Sequence, residues 1–447
     1  MEYKRPQHHQ PPITPRLIIH GGAGNIKPST VPPERWAAYR ASLLSIISKT
    51  HSHLTTPNKS TGRPPSALEV ATFAVRLLED DPLFNAGRGA VFTRDGINEL
   101  EASVMVSRGY AKRGVGVMGL RRVKNPILLA RAVLERGDGD LLGVFGTGGR
   151  QPKGEAGDGE LDVPSAQGHT QIHGAAAESL ARRYGLEMVE PGYFFTQKRW
   201  DEHIRALQRE KEGSGLSSWS GDEYLPQGTV GAIALDAEGV VCCATSTGGL
   251  TNKLTGRIGD TPVVGAGFWA EEWAEHGERG IRRPGPMLSF EGPLRGLVAD
   301  CLPSLGVYTP LDRETQRKSL TMTRSMAVSG TGNGDSFLRV AAARTVGAIA
   351  RFGGVSTSDA LSRVAGPGGE LQKSAGSRWG RTGEGEGGII GIELVVIKDE
   401  EGNVVETKSE VVQDFNCGGM LRAWIDEDGC ACFKAFREED EELQNCR

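Results

Sequence analysis

The segment that most restricts the fold of this chain runs from Gly228 to Gly267 and reads GTVGAIALDAEGVVCCATSTGGLTNKLTGRIGDTPVVGAG. Its first half contains two runs, TVGAIALD and VVCCATSTGG, joined at DAEG and apolar or small at almost every position. A strand with one face in water alternates apolar and polar residues. These runs do not, so they predict a hairpin covered on both faces. The hairpin nevertheless carries Thr229, Thr245, Ser246 and Thr247, and Arg257 and Asp260 follow it three residues apart. Strand propensity would account for the threonines, and a surface ion pair for Arg257 and Asp260. The alternative for both is a site.

The remaining blocks favour strands and helices grouped separately over regular strand–helix–strand units, hence an α+β fold of stacked sheets covered by helices. RLIIHGGAG (16–24) reads as a buried strand entering a glycine turn. Helices are expected over 33–48, 67–81, 125–136, 174–186 and 196–211, with 49–66 a polar loop. RDG, within 82–107, reads as a hairpin turn, TPVVGAGFW as a strand, and IIGIELVVIKDEEGNVVETKS as another hairpin. SMAVSGTGNGDSF runs from strand through glycine loop to helix, and DFNCGGMLRAWIDEDG leads into a short acidic tail. Residues 1–15 have the composition of a disordered tail, residues from about 212 to 228 that of a flexible linker, and 270–322 and 365–388 those of surface insertions, the latter mobile.

Bulk composition narrows the function by exclusion. With 447 residues, a net charge of −4 and 24% charged residues, the chain has no basic excess for nucleic acid or anionic lipid. The 62 glycines have no period, so they serve turns and close backbone approaches. The seven cysteines are odd in number and lack a repeated ligand spacing, which points to reduced thiols and an intracellular, cytoplasmic protein. The N-terminal residues contain no apolar signal core, and no apolar run approaches the ~20 residues of a membrane span.

Several chemistries fail on their central residue. HGGAG resembles the oxyanion loop of serine hydrolases, but no serine sits in a G-x-S-x-G elbow. The glycines of SGTGNGDSF are misspaced for a dinucleotide fingerprint. His169 and His173 in GHTQIH have no third zinc ligand nearby. Thr229 remains. A threonine hydroxyl needs an adjacent base, and an N-terminal threonine carries one in its α-amine, whose ordinary pKa is ~7.7–8.0. Cleavage between Gly228 and Thr229 would create that terminus at the edge of a buried strand. By itself GTVG is weak, and a strand that begins with threonine is the simpler reading.

The wider set of motifs decides it. FNAGRGAVFTRDG, the whole of 228–267, SGTGNGDSF and FNCGGMLRAW, with HGGAG at the start, occur in one order over most of the chain. Together they resemble the plant-type L-asparaginase/isoaspartyl peptidase family of N-terminal-nucleophile hydrolases. The resemblance implies a four-layer αββα sandwich made as a precursor and split into an α subunit, 16–228 after the tail, and a β subunit, 229–447. It implies hydrolysis of L-asparagine to L-aspartate and ammonia and of β-aspartyl (isoaspartyl) peptides such as β-aspartyl dipeptides, and a homodimer of α/β heterodimers, with no nucleic acid or membrane partner. It assigns Thr229 as the nucleophile and Thr247 as a second threonine near it. Arg257 and Asp260 grip the substrate's α-carboxylate and α-ammonium, which suits a guanidinium fork and a carboxylate. Thr331 and Gly332 match the oxyanion hole, Gly334 a backbone contact to the ligand, and Asn85 an asparagine close to the nucleophile. No organic cofactor is implied. The loop LEDDPLFNAGR matches one that holds a structural sodium ion through backbone carbonyls, here those of Leu78, Glu79, Asp81, Phe84, Ala86 and Arg88.

The sequence departs from the family pattern at Asp335, where the family has glutamate, and in the 270–322 and 365–388 stretches. Relatives with other substrates stay open at this stage. Taspase-like endopeptidases lack the aspartate that Asp260 matches, and glycosylasparaginases share the threonine and GRxGD motifs but are secreted. A non-catalytic scaffold would be expected to have lost part of the set Thr229, Thr247, Arg257, Asp260 and Thr331.

Overall fold

A computed structural model describes residues 11–27, 29–59, 62–142, 161–212, 228–275 and 320–437. Twelve strands lie among them: β1 (Arg16–Gly24), β2 (Leu100–Val106), β3 (Gly114–Leu120), β4 (Gln171–His173), β5 (Val230–Leu235), β6 (Val241–Thr247), β7 (Phe268–Glu275), β8 (Thr321–Gly332), β9 (Gly387–Lys398), β10 (Val404–Phe415), β11 (Gly419–Ile425) and β12 (Ala431–Lys434). They form an eight-stranded sheet in the order β12-β11-β1-β5-β6-β2-β3-β4 and a four-stranded sheet in the order β10-β9-β8-β7. The expected hairpin β5–β6 is central in the larger sheet, and every residue of its two strands is buried.

The pleat explains how a strand can be apolar on both sides. Along β5, Ala232 and Ala234 join a core shared with helices α1 (Pro33–Thr55), α2 (Ala67–Asp80), α3 (Pro126–Leu142) and α4 (Gly174–Arg183). The alternating residues Ile233 and Leu235 face the other way and pack with Phe268, Ala327, Ile390 and Ile392 of the smaller sheet. The far side of that sheet, through Met326, Val328 and Ile389, meets helices α6 (Gly334–Val340), α7 (Ala342–Gly353), α8 (Thr357–Ala365) and α9 (Glu370–Ala375). Helix α5 (Gln197–Lys211) is anchored by Arg199, whose Nε donates to Gly89 O at 2.8 Å and whose Nη1 pairs with Glu202 at 2.9 Å.

Helix α2 positions the loop that follows it. Ser66 and Glu69 form a reciprocal capping box at its start. At its end, Arg88 N donates back to Glu79 O at 2.7 Å, which closes the 79–88 loop on the last helical turn.

Several local expectations shift. Helix α1 continues through 49–55, expected as loop, because Leu54 is buried and His53 stacks on Phe73. The RDG turn makes no hairpin; β2 pairs instead with β3 and β6, because partners further along the chain cover both of its edges. In TPVVGAGFW only the last two residues are strand; the rest is a chain of turns closed by Val263 N→Asp260 O and Ala266 N→Val263 O. Strand β7 runs on to Glu275, so 270–275 belong to the sheet, and 276–319 of the expected insertion lie outside the described residues. The 365–388 stretch, expected to be mobile, contains α9 and is tied by Arg378 and Arg339 to Glu384. Residues 11–15 lie along β10, with Pro12 O and Thr14 O accepting from Thr407 and Ser409; residues 1–10 and 213–227 are outside the described set. The acidic tail is preceded by a further strand, β12. No helix among the described residues is long and apolar enough to cross a membrane.

Candidate active site

The site forms where the ends of β1, β5 and β6 meet the loops of the smaller sheet. Val230 pairs with Ser246, and one step further the antiparallel register sets Thr229 opposite Thr247. Thr247 in turn pairs with Glu101 of β2. All three share the parity of Ile233, Cys243 and Met105, which pack between the sheets, so the row Thr229–Thr247–Glu101 faces the smaller sheet. All three are buried.

Thr331, at the end of β8, reaches Thr229 from the opposite sheet. Its Oγ1 accepts from Thr229 N at 3.0 Å and from Ala23 N at 3.2 Å. A hydroxyl has two acceptor positions and one proton, so both lone pairs are used and the proton is left to donate. The Thr229 hydroxyl lies 3.4 Å from that of Thr261, which is fully buried. Gly228 is pressed against β1: a Cβ on it would come 2.1 Å from Gly22 Cα and 2.8 Å from Ala23 N. Gly22 has φ +123, a conformation that favours glycine.

Arg257 and Asp260 are brought together next to the same loop. A Cβ on Gly334 would lie 2.5 Å from Asp260 Oδ1 and 3.1 Å from Arg257 Nη2, so only glycine leaves room for both. Arg257 Nη2 donates to Asp335 Oδ1 at 3.1 Å. Burial pushes the Asp260 carboxyl up to about 7; Arg257 opposes that rise, and Glu101 and Asp335 add to it. Asp260 Oδ2 is buried and has no hydrogen-bond partner among the described residues. Gly332 has φ +147, and a Cβ there would strike Glu386 O at 2.4 Å.

Asn85 lies against the end of β6. Its Nδ2 donates to Gly249 O at 2.7 Å, and its backbone carbonyl accepts from Gly248 N at 3.0 Å, so it fixes the turn after Thr247. Thr247 Oγ1 caps the same turn by accepting from Gly249 N at 3.0 Å. In the 78–88 loop, Glu79 O and Asp81 O each accept one backbone N–H, from Arg88 and Phe84. Each of those carbonyls keeps a second lone pair, which is compatible with a hard cation. Beneath the site, His20 Nε2 lies 2.8 Å from Ser329 Oγ, which is 2.9 Å from Thr245 Oγ1. Burial drives His20 down to about 3, against the pull of the Thr229 backbone, so the ring is neutral at physiological pH.

Sequence reasoning overlooked Thr261, Glu101, Lys253 and the His20–Ser329–Thr245 file. Thr261 directly follows Asp260, which is a readable signal; Glu101 carries none until its partners fold onto it.

The chain matches the asparaginase family model over residues 13–148 and 162–275. It is 33% identical to the isoaspartyl peptidase of Escherichia coli over 411 residues, which cover 91% of this chain and 92% of that protein. It is 32% identical to the isoaspartyl peptidase of Salmonella typhimurium over 91% of this chain and 94% of the relative. With the plant-type L-asparaginase of Pyrococcus furiosus the identity is 33%, over 58% of this chain and 71% of the relative.

Proposed function

The chain belongs to the asparaginase family, and on that premise we propose that it hydrolyses L-asparagine to L-aspartate and ammonia, and β-aspartyl peptides at their isoaspartyl bond, with Thr229 as an N-terminal nucleophile. The observation that carries this reading is convergence. Thr229, next to Gly228, bonds the Thr331 hydroxyl of the opposite sheet and lies 3.4 Å from the hydroxyl of Thr261, the neighbour of Asp260, while Asp260 and Arg257 close round Gly334 three residues after Thr331. The two sheets with helices on their outer sides are consistent with the αββα sandwich of such hydrolases.

Maturation comes first. The Thr229 hydroxyl attacks the Gly228 carbonyl, the amide C–N bond breaks as the C–O bond forms, and the nitrogen takes a proton. Water then hydrolyses the resulting ester, leaving a Gly228 carboxylate and a free Thr229 amine. In catalysis the substrate's α-carboxylate docks on Arg257 and its α-ammonium on Asp260, which presents the side-chain carbonyl to Thr229. The Thr229 amine takes the hydroxyl proton as oxygen attacks. The Thr331 proton and the Gly332 N–H stabilise the oxyanion, and one such donor is worth about 10²–10³ in rate. Ammonia, or the amino group of the leaving peptide, departs with that proton. Water then cleaves the β-aspartyl ester and restores Thr229. Thr247 orients the turn beside the nucleophile, and Asn85 holds that turn.

A sodium ion bound by the 78–88 carbonyls would stiffen the loop that carries Asn85, without entering the chemistry. An intact Asp260, buried beside Arg257, favours small α-amino acid substrates over a taspase-like protein substrate. The dimer of heterodimers and a cytoplasmic location remain part of this proposal.

The test is a denaturing gel with N-terminal sequencing, followed by ammonia release from L-asparagine, run beside β-aspartyl dipeptides and N-acetylglucosaminyl-asparagine. The expected outcome is a new terminus at Thr229 and turnover of the first two substrates. A chain that stays uncut, or a cut chain that turns over neither, overturns the reading.

A further inference from the structure

On the reading that Arg257 and Asp260 grip the substrate, we infer that Glu101 and Lys253 form a buried anchor that holds the 256–260 loop in binding position, which makes Glu101 a positioning residue for substrate binding. Both side chains are almost fully buried. A buried carboxylate is costly unless it is paired and hydrogen-bonded, and Glu101 spends its bonds on this loop. Its two oxygens accept from Gly259 N at 3.2 and 3.3 Å, and Lys253 Nζ lies 3.6 Å from Oε1. Lys253 also donates to Glu99 O at 2.9 Å.

Glu99, two residues earlier and just ahead of β2, repeats the pattern. Its Oε2 accepts from Gly256 N at 2.7 Å, while Arg121 pairs with Oε1 at 2.7 Å. Two carboxylates thus hold two amides that bracket Arg257. The loop is neither helix nor strand, so these bonds supply an alignment that no ladder gives it. Gly259 is the contact point: a Cβ there would lie 2.8 Å from Arg257 Nη1 and 3.3 Å from Glu101 Oε2, so the guanidinium passes over Gly259 beside the Glu101 carboxylate.

Charge bookkeeping fits the same role. Lys253 balances Glu101 and Arg121 balances Glu99, so neither carboxylate needs Arg257, whose Nη2 pairs with Asp335, and Asp260 keeps one oxygen without a hydrogen-bond partner among the described residues. Lys253 reaches the nucleophile side as well: its Nζ would be 2.7 Å from a Cβ on Gly249, whose N–H bonds to Thr247. The anchor therefore spans the Thr247 turn and the substrate-gripping loop.

The experiment compares matured wild type, Glu101→Ala and Glu101→Gln with L-asparagine and a β-aspartyl dipeptide as substrates, and with L-aspartate as a competing product. Loss of a hydrogen bond to a charged group predicts a KM, and an L-aspartate inhibition constant, raised about tenfold or more in Glu101→Ala. The kcat should stay within about threefold, because the Thr229 chemistry is untouched. Glu101→Gln returns an acceptor to Gly259 but leaves Lys253 unpaired, so its KM should fall between the two. A plain folding role would lower maturation and melting temperature and leave the KM of matured enzyme unchanged. KM values within about twofold of wild type in both variants overturn the inference. Where Glu101→Ala does not mature, the isosteric Glu101→Gln carries the test on the same criterion. If wild type itself turns over neither substrate, the functional reading fails and this inference with it; if wild type is active and the variants bind normally, only the anchor fails.

Discussion

Replacing Gly228 by alanine isolates the maturation step. The added Cβ would lie 2.1 Å from Gly22 Cα and 2.8 Å from Ala23 N, both backbone atoms. Non-bonded carbons settle at about 3.5 Å, so the scissile segment must retreat by about 1.4 Å. Gly22 cannot easily make room, because it is held in β1, paired with Leu421 of β11. Misplacing reacting atoms by about 1 Å costs about 10² in rate, so Gly228→Ala should mature at least about 10²-fold more slowly. The assay is a time course of precursor and subunits on a denaturing gel. Fully matured Gly228→Ala should keep wild-type kcat/KM, since residue 228 is no longer bonded to Thr229. Gly429→Ala is the control: its φ of +79 makes it strained, but nothing lies within 4 Å of its Cβ, so maturation should be normal. Wild-type maturation kinetics in Gly228→Ala would refute the argument that the contact with Gly22 sets the geometry of cleavage.

Other outcomes follow from the same geometry. Arg257→Ala should mature normally and raise KM for L-asparagine by about 10²-fold through loss of a bidentate charge pair, read from initial rates of ammonia release. Asp260, pushed up to about 7 by burial, must be ionised to take an ammonium group, and the Thr229 amine must be neutral to act as base. On the acid side kcat/KM should therefore fall with a limiting slope near two protons, reduced to one in Asp260→Asn; equal slopes in the two enzymes would count against Asp260 as the ammonium partner. Glu79 is fully buried, and burial raises its pKa from 4.5 to about 8, against hydrogen bonds from Ser246 and the Ile127 N–H. The unfolded chain therefore loses that proton first, and stability should drop as pH rises from 4.5 through 8. Glu79→Gln should flatten that decline and melt higher than wild type at pH 8 in calorimetry.

The buried centre of the fold, and the residues that gather at the candidate site, are legible in the amino-acid order. Continuous burial along β5 and β6 was readable because a strand between two packed layers has no polar face to display. The nucleophile candidate was readable because a threonine can borrow its own amine only at a chain terminus, which made Gly228–Thr229 a specific hypothesis. Arg257 and Asp260 were readable as a pair, but only the motif order lifted them above a surface ion pair. Tertiary structure alone decided what those residues meet. Thr331 lies 102 residues beyond Thr229, yet its hydroxyl accepts from the Thr229 N–H. Gly334 turned from a loop glycine into the clearance for Asp260 and Arg257. The RDG turn misled because it closes only on itself, through Gly96 N→Thr93 O and Thr93 N→Ile97 O, and β2 pairs with β3 and β6. Glu101 went unnoticed because an isolated glutamate in a strand carries no motif. Its role exists only once Gly259 and Lys253, more than 150 residues away, fold onto it, since a buried charge takes its meaning from its partners.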